Sequence, residues 1–91
     1  MNEIIEHYKQ MITLEITSRN PGIVIKIKPM LKDPLNDIHL LWMLSEMTFN
    51  ETQSETKKHR WLGFIQGVVI SKNYTTVDDE RNFTRNLLNG K

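Results

Sequence analysis

The chain has no cysteine in its 91 residues. That excludes disulfides, zinc–thiolate centres and thiol nucleophiles together, and it suits a reducing compartment. Long apolar runs are also missing. The longest, Leu40–Leu44 and Val68–Ile70, fall far short of the roughly 20 residues that a membrane span needs. The first residues include Glu3 and Glu6, not the basic start and apolar stretch of a signal peptide, so a soluble, cytoplasmic protein without membrane contact is expected. Neither sign of charge prevails. With 12 Lys and Arg against 11 Asp and Glu, and a net charge of +1, no overall field draws the chain to nucleic acid, and any such contact needs a local patch. No glycine-rich phosphate loop, nucleophile elbow or paired-carboxylate motif is present. His7, His39 and His59 are the only imidazoles, and none has the His-x-x-x-His or Glu-x-x-His spacing of a metal site. No metal, no cofactor and no enzymatic activity are expected.

What is present is periodicity that changes along the chain. Ile4, Ile5, Tyr8 and Met11 follow helical spacing and predict a short amphipathic helix over 2–11. Ile12, Leu14 and Ile16 then alternate with Thr13, Glu15 and Thr17, and Ile23, Ile25 and Ile27 alternate with Val24, Lys26 and Lys28, as half-buried strands do. Between these runs, Asn20-Pro21-Gly22 supplies the fixed φ and the free φ of a type II turn. A β-hairpin is the favoured reading, although Ile4, Ile5, Tyr8, Met11, Ile12 and Ile16 also fit one helix running to Ser18. Pro29 and Pro34 bracket a loop, and Asn36 or Asp37 is placed to cap a second helix, whose apolar residues from Ile38 to Met47 cover most of its circumference. After a polar stretch in which Asn50 and Gln53 have capping-box spacing, a third helix is expected from Glu51 or Glu55 to Ser71. It should bury Trp61, Phe64, Ile65, Val68 and Val69, with a break at Asn73-Tyr74. Thr76 followed by Asp78, Asp79 and Glu80 marks the start of a fourth, where acidic side chains oppose the helix dipole, and Asn89-Gly90 is a plausible end.

The expected architecture is therefore α+β, one domain over 1–91. A helix and β-hairpin over 1–33 precede a three-helix bundle over 34–91. Because an isolated hairpin is marginal in water, self-association is expected, with a dimer favoured.

Four features invite a functional reading. Lys57, Lys58, His59, Arg60 and Trp61 place cations beside an aromatic ring, the combination that contacts phosphate and stacks a base. Successive helical residues do not share one face, however, and Glu51 and Glu55 offer carboxylates one turn earlier. Arg81 and Arg85 share a face of the last helix and are forked donors for an anion or a partner carboxylate, although Asp78 also stands at pairing distance from Arg81. Gly63 and Gly67, each costing roughly 1 kcal/mol in a helix interior, point to close packing against another helix, a second copy or a ligand. His39 reads as a helix-surface or partner-contacting residue.

The stretches His39-Leu40-Leu41-Trp42-Met43, Arg60-Trp61-Leu62-Gly63-Phe64-Ile65-Gln66-Gly67 and Thr76-Val77-Asp78-Asp79-Glu80-Arg81, with Thr84-Arg85, resemble a group of small bacteriophage and prophage proteins. The first thirty-five residues lie outside the resemblance. It implies an accessory factor that binds and redirects a host protein in the cytoplasm of an infected bacterium, and it carries no catalytic role. On this reading the contact face includes His39, Arg60, Arg81 and Arg85. The alternatives are a nucleic-acid binder using Lys57, Lys58, Arg60 and Trp61, or an oligomer that holds a small ligand or nucleotide beside Gly63 and Gly67.

Overall fold

Ile5, Tyr8, Ile12 and Ile16 recur at steps of three and four, and they form the buried stripe of one continuous helix, α1 (Asn2–Arg19), in the computed structural model, which describes residues 2–88. Helix α2 spans Asp37–Phe49, α3 spans Glu55–Ser71 and α4 spans Val77–Leu88. The fold is all-helical. Among the described residues there is no strand, and the expected hairpin is absent. The alternation Ile12, Leu14, Ile16 misled because Ile12 and Ile16 are also one helical turn apart; Leu14, which should have been buried in a strand, is 65% exposed. β-branched residues oppose a helix only weakly, and a continuous apolar face overrides that preference. Once Ile12–Thr17 is taken into α1, the stretch after Gly22 has nothing to pair with.

The turn itself is where the sequence puts it. Ile23 N–H donates to the Asn20 carbonyl at 3.1 Å across Pro21 and Gly22, and Gly22 has φ +83°, the value that a type II turn requires at its third residue. It follows the end of α1 and leads into a stretch without regular secondary structure, not into a return strand. Asn36 caps α2 by accepting from Ile38 N–H at 2.8 Å. Helix α3 is capped by Ser54, which accepts from Lys57 N–H at 3.1 Å; the suspected Asn50–Gln53 box does not form, since Asn50 instead accepts from Thr52 within its own turn. The break after α3 is a Schellman closure, with Tyr74 N–H reaching the Val69 carbonyl and Asn73 at φ 64°. Thr76 accepts from Asp79 N–H at 3.1 Å and opens α4. The expected helix end at Asn89-Gly90 lies outside the described residues.

Leu40, Leu41, Met43, Leu44 and Met47 of α2 meet the α1 stripe and Leu62, Ile65, Val68 and Val69 of α3 in one continuous core. The N-terminal segment is therefore part of the same core as the rest, not a separate unit. Trp42 and Trp61 flank it half-buried, their rings 5.8 Å apart. Phe64, expected inside, is 40% exposed. The core helices α1, α2 and α3 pack on one another, while α4 lies at their margin, with its Glu80 buried.

Candidate interaction surface

Two polar clusters lie inside the fold, and both join helices. In the first, Asp37, at the start of α2, accepts from Arg19 Nη2 at 2.5 Å, Tyr74 Oη at 2.7 Å and Lys72 Nζ at 3.0 Å. Burial pushes the Asp37 carboxyl up, but the Tyr74, Lys72 and Arg19 bonds together outweigh it and hold the group below its ordinary value. Arg19 is raised in turn, chiefly by its bond to Asp37. In the second cluster, Glu80 of α4 accepts from Tyr8 Oη at 2.5 Å and from Thr75 Oγ1 at 3.2 Å, and it meets His7 Nε2 at 2.9 Å. Burial raises Glu80; the Tyr8 and His7 bonds, the attraction of His7 and the Thr75 bond outweigh burial and lower it. Tyr8 moves strongly upward, first by burial and then by its bond to Glu80. The His7 ring stacks on Phe83 at 3.8 Å. Every strong acceptor site in these clusters faces a partner from the chain itself, so both read as fastenings.

This changes the assignment of Glu80. The sequence places it with Asp78 and Asp79 as a dipole-compensating group, yet it is 3% exposed and reaches across to α1. Asp78 and Asp79 are exposed. Neither cluster is visible in local sequence, because Glu80 and His7 are 73 positions apart and Asp37 and Tyr74 are 37 apart.

The residues singled out in the sequence do not form one face. His39 is 7% exposed, and its Nδ1 accepts from Met30 N–H at 2.9 Å; it closes the loop before α2 and is removed from the contact face. Arg60, Arg81 and Arg85 are exposed, and among the described residues none has an ion pair. In the basic run, Lys58 pairs with Glu55 at 3.7 Å, and Lys57 Nζ lies 5.1 Å from the centre of the Trp61 ring. The ring is thus half-buried against the core and capped by the chain's own cation, which leaves little face for a base. Gly63 and Gly67 are exposed, and no group lies within 4 Å of where a Cβ would stand on either. Close packing against another helix of the same chain is therefore overturned. The glycines leave an open strip on α3, and the principal clefts are lined by other residues.

The surface that the sequence leaves unmarked lies where the α1–α2 connection meets α1 and α2. Lys9, Thr13, Ile25, Ile27, Leu41 and Ser45 line a cleft of about 230 Å³. Lys9 and Thr13 also border a shallow depression with Leu14, and Lys9 Nζ lies 5.8 Å from the Phe49 ring. Around these two residues, Leu14, Ile27 and Phe49 are 65%, 50% and 76% exposed. The signal was available: Leu14 and Phe49 belong to no buried stripe once α1 is read as continuous.

Among the described residues no group of three or more metal-ligating side chains occurs, and no helix is long and apolar enough to cross a membrane. Comparison with protein-family models, with curated proteins and with solved structures gives no match. The likeness to small phage proteins rests on the quoted stretches alone, and much of what they contain is core: Leu40, Leu41, Met43, Leu62, Ile65 and Glu80 are all buried.

Proposed function

We propose that the chain is a non-enzymatic binding protein, a phage-type accessory factor that acts on a host protein, with its contact surface on the Leu14–Ile27–Phe49 side of the molecule. The observation that carries this reading is the clustering of three large, solvent-exposed apolar side chains around Lys9 and Thr13. Single exposed apolar residues are ordinary, whereas several beside one cleft mark a contact surface. Arg60, Arg81 and Arg85 line neither this cleft nor the depression beside it.

The test is retention of bacterial proteins from a nuclease-treated lysate on the immobilised chain, compared with a Leu14→Asp, Phe49→Asp variant. Both positions are exposed, so the double variant should lose only about 1 kcal/mol, mostly through helix propensity, and stay folded. A discrete protein held by the parent and lost by the variant supports the reading. Retention of nucleic acid alone, with affinity that falls steeply with salt, overturns it, and so does a protein held equally by both. Sedimentation of the two forms identifies a second copy as the occupant if the parent is a dimer and the variant a monomer.

A further inference from the structure

Residues 23–28 alternate as a strand does without belonging to a sheet. Val24, Lys26 and Lys28 are exposed, Ile25 packs against the core, and Ile23 and Ile27 lie between at 45% and 50% exposure. The stretch is fastened at both ends: Ile23 N–H closes the Asn20 turn, and Met30 N–H donates to His39 Nδ1. Between those bonds, among the described residues, the backbone groups of Val24–Lys28 have no hydrogen-bond partner in the protein. A backbone stretch held at both ends, with alternating side chains and a row of unused donors and acceptors, is a template for one more strand.

The chemistry of the incoming strand follows from the two faces of the stretch. Side chains of an added strand alternate to the same two sides as those of the strand that it joins. On the inner side they enter the cleft formed by Ile25, Ile27 and Leu41, with Lys9 at its rim. On the outer side they stand beside Lys26 and Lys28, which have no ion pair among the described residues. From Ile23 to Lys32 the chain has three lysines and no carboxylate. We infer that residues 23–28 are a docking edge for an extended segment of a partner protein whose side chains alternate between carboxylate and apolar, added as a strand beside the Ile23–Lys28 backbone. This rests on the protein-binding reading above and specifies its mode. A second copy of the chain would bring the same three lysines and no carboxylate between Ile23 and Lys32, so it offers Lys26 and Lys28 no opposite charge.

The probe is a blocked heptapeptide alternating glutamate and valine, with its lysine–valine counterpart as control, titrated into the full chain labelled with ¹⁵N. The glutamate peptide is expected to bind one to one, to shift the amides of Val24–Lys28, and to slow exchange at alternate positions of that stretch at least about tenfold, as one-sided strand pairing does. The lysine peptide should do neither. Lys26→Glu with Lys28→Glu, two exposed positions, should weaken the glutamate peptide by about tenfold and admit the lysine peptide. No binding at millimolar peptide overturns the inference, as do equal binding of both peptides or shifts confined to α3 and α4. Protection of these amides that rises with protein concentration and a doubled mass, without peptide, assigns the edge to a second copy and also overturns it. Displacement of the glutamate peptide by oligothymidylate, with the same amides shifted, assigns the lysines to phosphate. If lysate retention stays sensitive to Leu14→Asp, Phe49→Asp while the peptide fails, strand addition falls and the protein-binding reading stands.

Discussion

Replacing Glu80 by alanine should be the most damaging single polar substitution in this fold. The side chain is almost wholly buried and receives the Tyr8 hydroxyl, the Thr75 hydroxyl and a His7 bond. A hydrogen bond to a charged group contributes roughly 1.5–3 kcal/mol, and a buried donor left unpaired costs roughly 1–3 kcal/mol. His7 and Thr75 are part-exposed and recover water, so their loss is small. Tyr8, 3% exposed, cannot do so. The sum is about 3–4 kcal/mol, allowing for partial relaxation around the site. A domain of this size has a total stability of about 5–13 kcal/mol, and each kcal/mol moves its melting temperature by about 4–8 °C, so a fall of roughly 12 °C or more is expected. The assay is thermal and urea unfolding of Glu80→Ala, Tyr8→Phe and the double variant. Tyr8→Phe removes the donor that the first change strands, so the double variant should be less destabilised than the sum of the two. Strict additivity, or a Glu80→Ala variant within 1 kcal/mol of the parent, would refute the argument.

The pH profile of stability should fall at both ends. Asp37 and Glu80 are held below their unfolded values of 3.8 and 4.5, so the stability they add is complete above those values and is lost as pH falls through the lower folded ones. Tyr8 is raised from 10.0, which favours its neutral form in the fold; its contribution is complete below pH 10.0 and is lost as pH rises beyond it, and Tyr8→Phe should flatten this alkaline limb. Gly67→Ala, on an open helical surface, should stabilise the chain by about 0.8–1 kcal/mol; a lower melting temperature, or a change in solution mass, would show that a second copy packs against that strip. Arg85→Ala should change stability by less than about 0.5 kcal/mol, and a loss of several kcal/mol in a melt would show an ion pair holding α4.

Sequence alone makes the helical half of the molecule readable where a signal is local. The Asn36 cap, the Thr76 cap, the Asn20-Pro21-Gly22 turn and the apolar girth of α2 each depend on residues a few positions apart, and each stands in the structure. The hairpin failed at the point where two periods coincide, since residues four apart satisfy a strand and a helix alike, and only the burial of Ile12 and Ile16 on one stripe with Ile5 and Tyr8 separates them. His39 was misplaced because nothing local announces that the amide nine residues earlier will seek its ring. Lys57–Trp61 was legible as chemistry but not as geometry: the same run that suggests a base-stacking platform supplies the cation that covers it.

The manner in which α4 is fastened has a consequence for how the protein opens. Its hold on the body includes a carboxylate inserted between two α1 side chains and an imidazole stacked on a phenyl ring, while Val77 at its start is 52% exposed. Release of this one marginal helix uncovers less area than opening of the α1–α3 core, so its free energy should depend less on denaturant, whereas opening of the core should follow the full slope. Amide exchange in α4 would then form a separate, shallower isotherm beneath the steep global one. Acid, by protonating Glu80, would lower that isotherm.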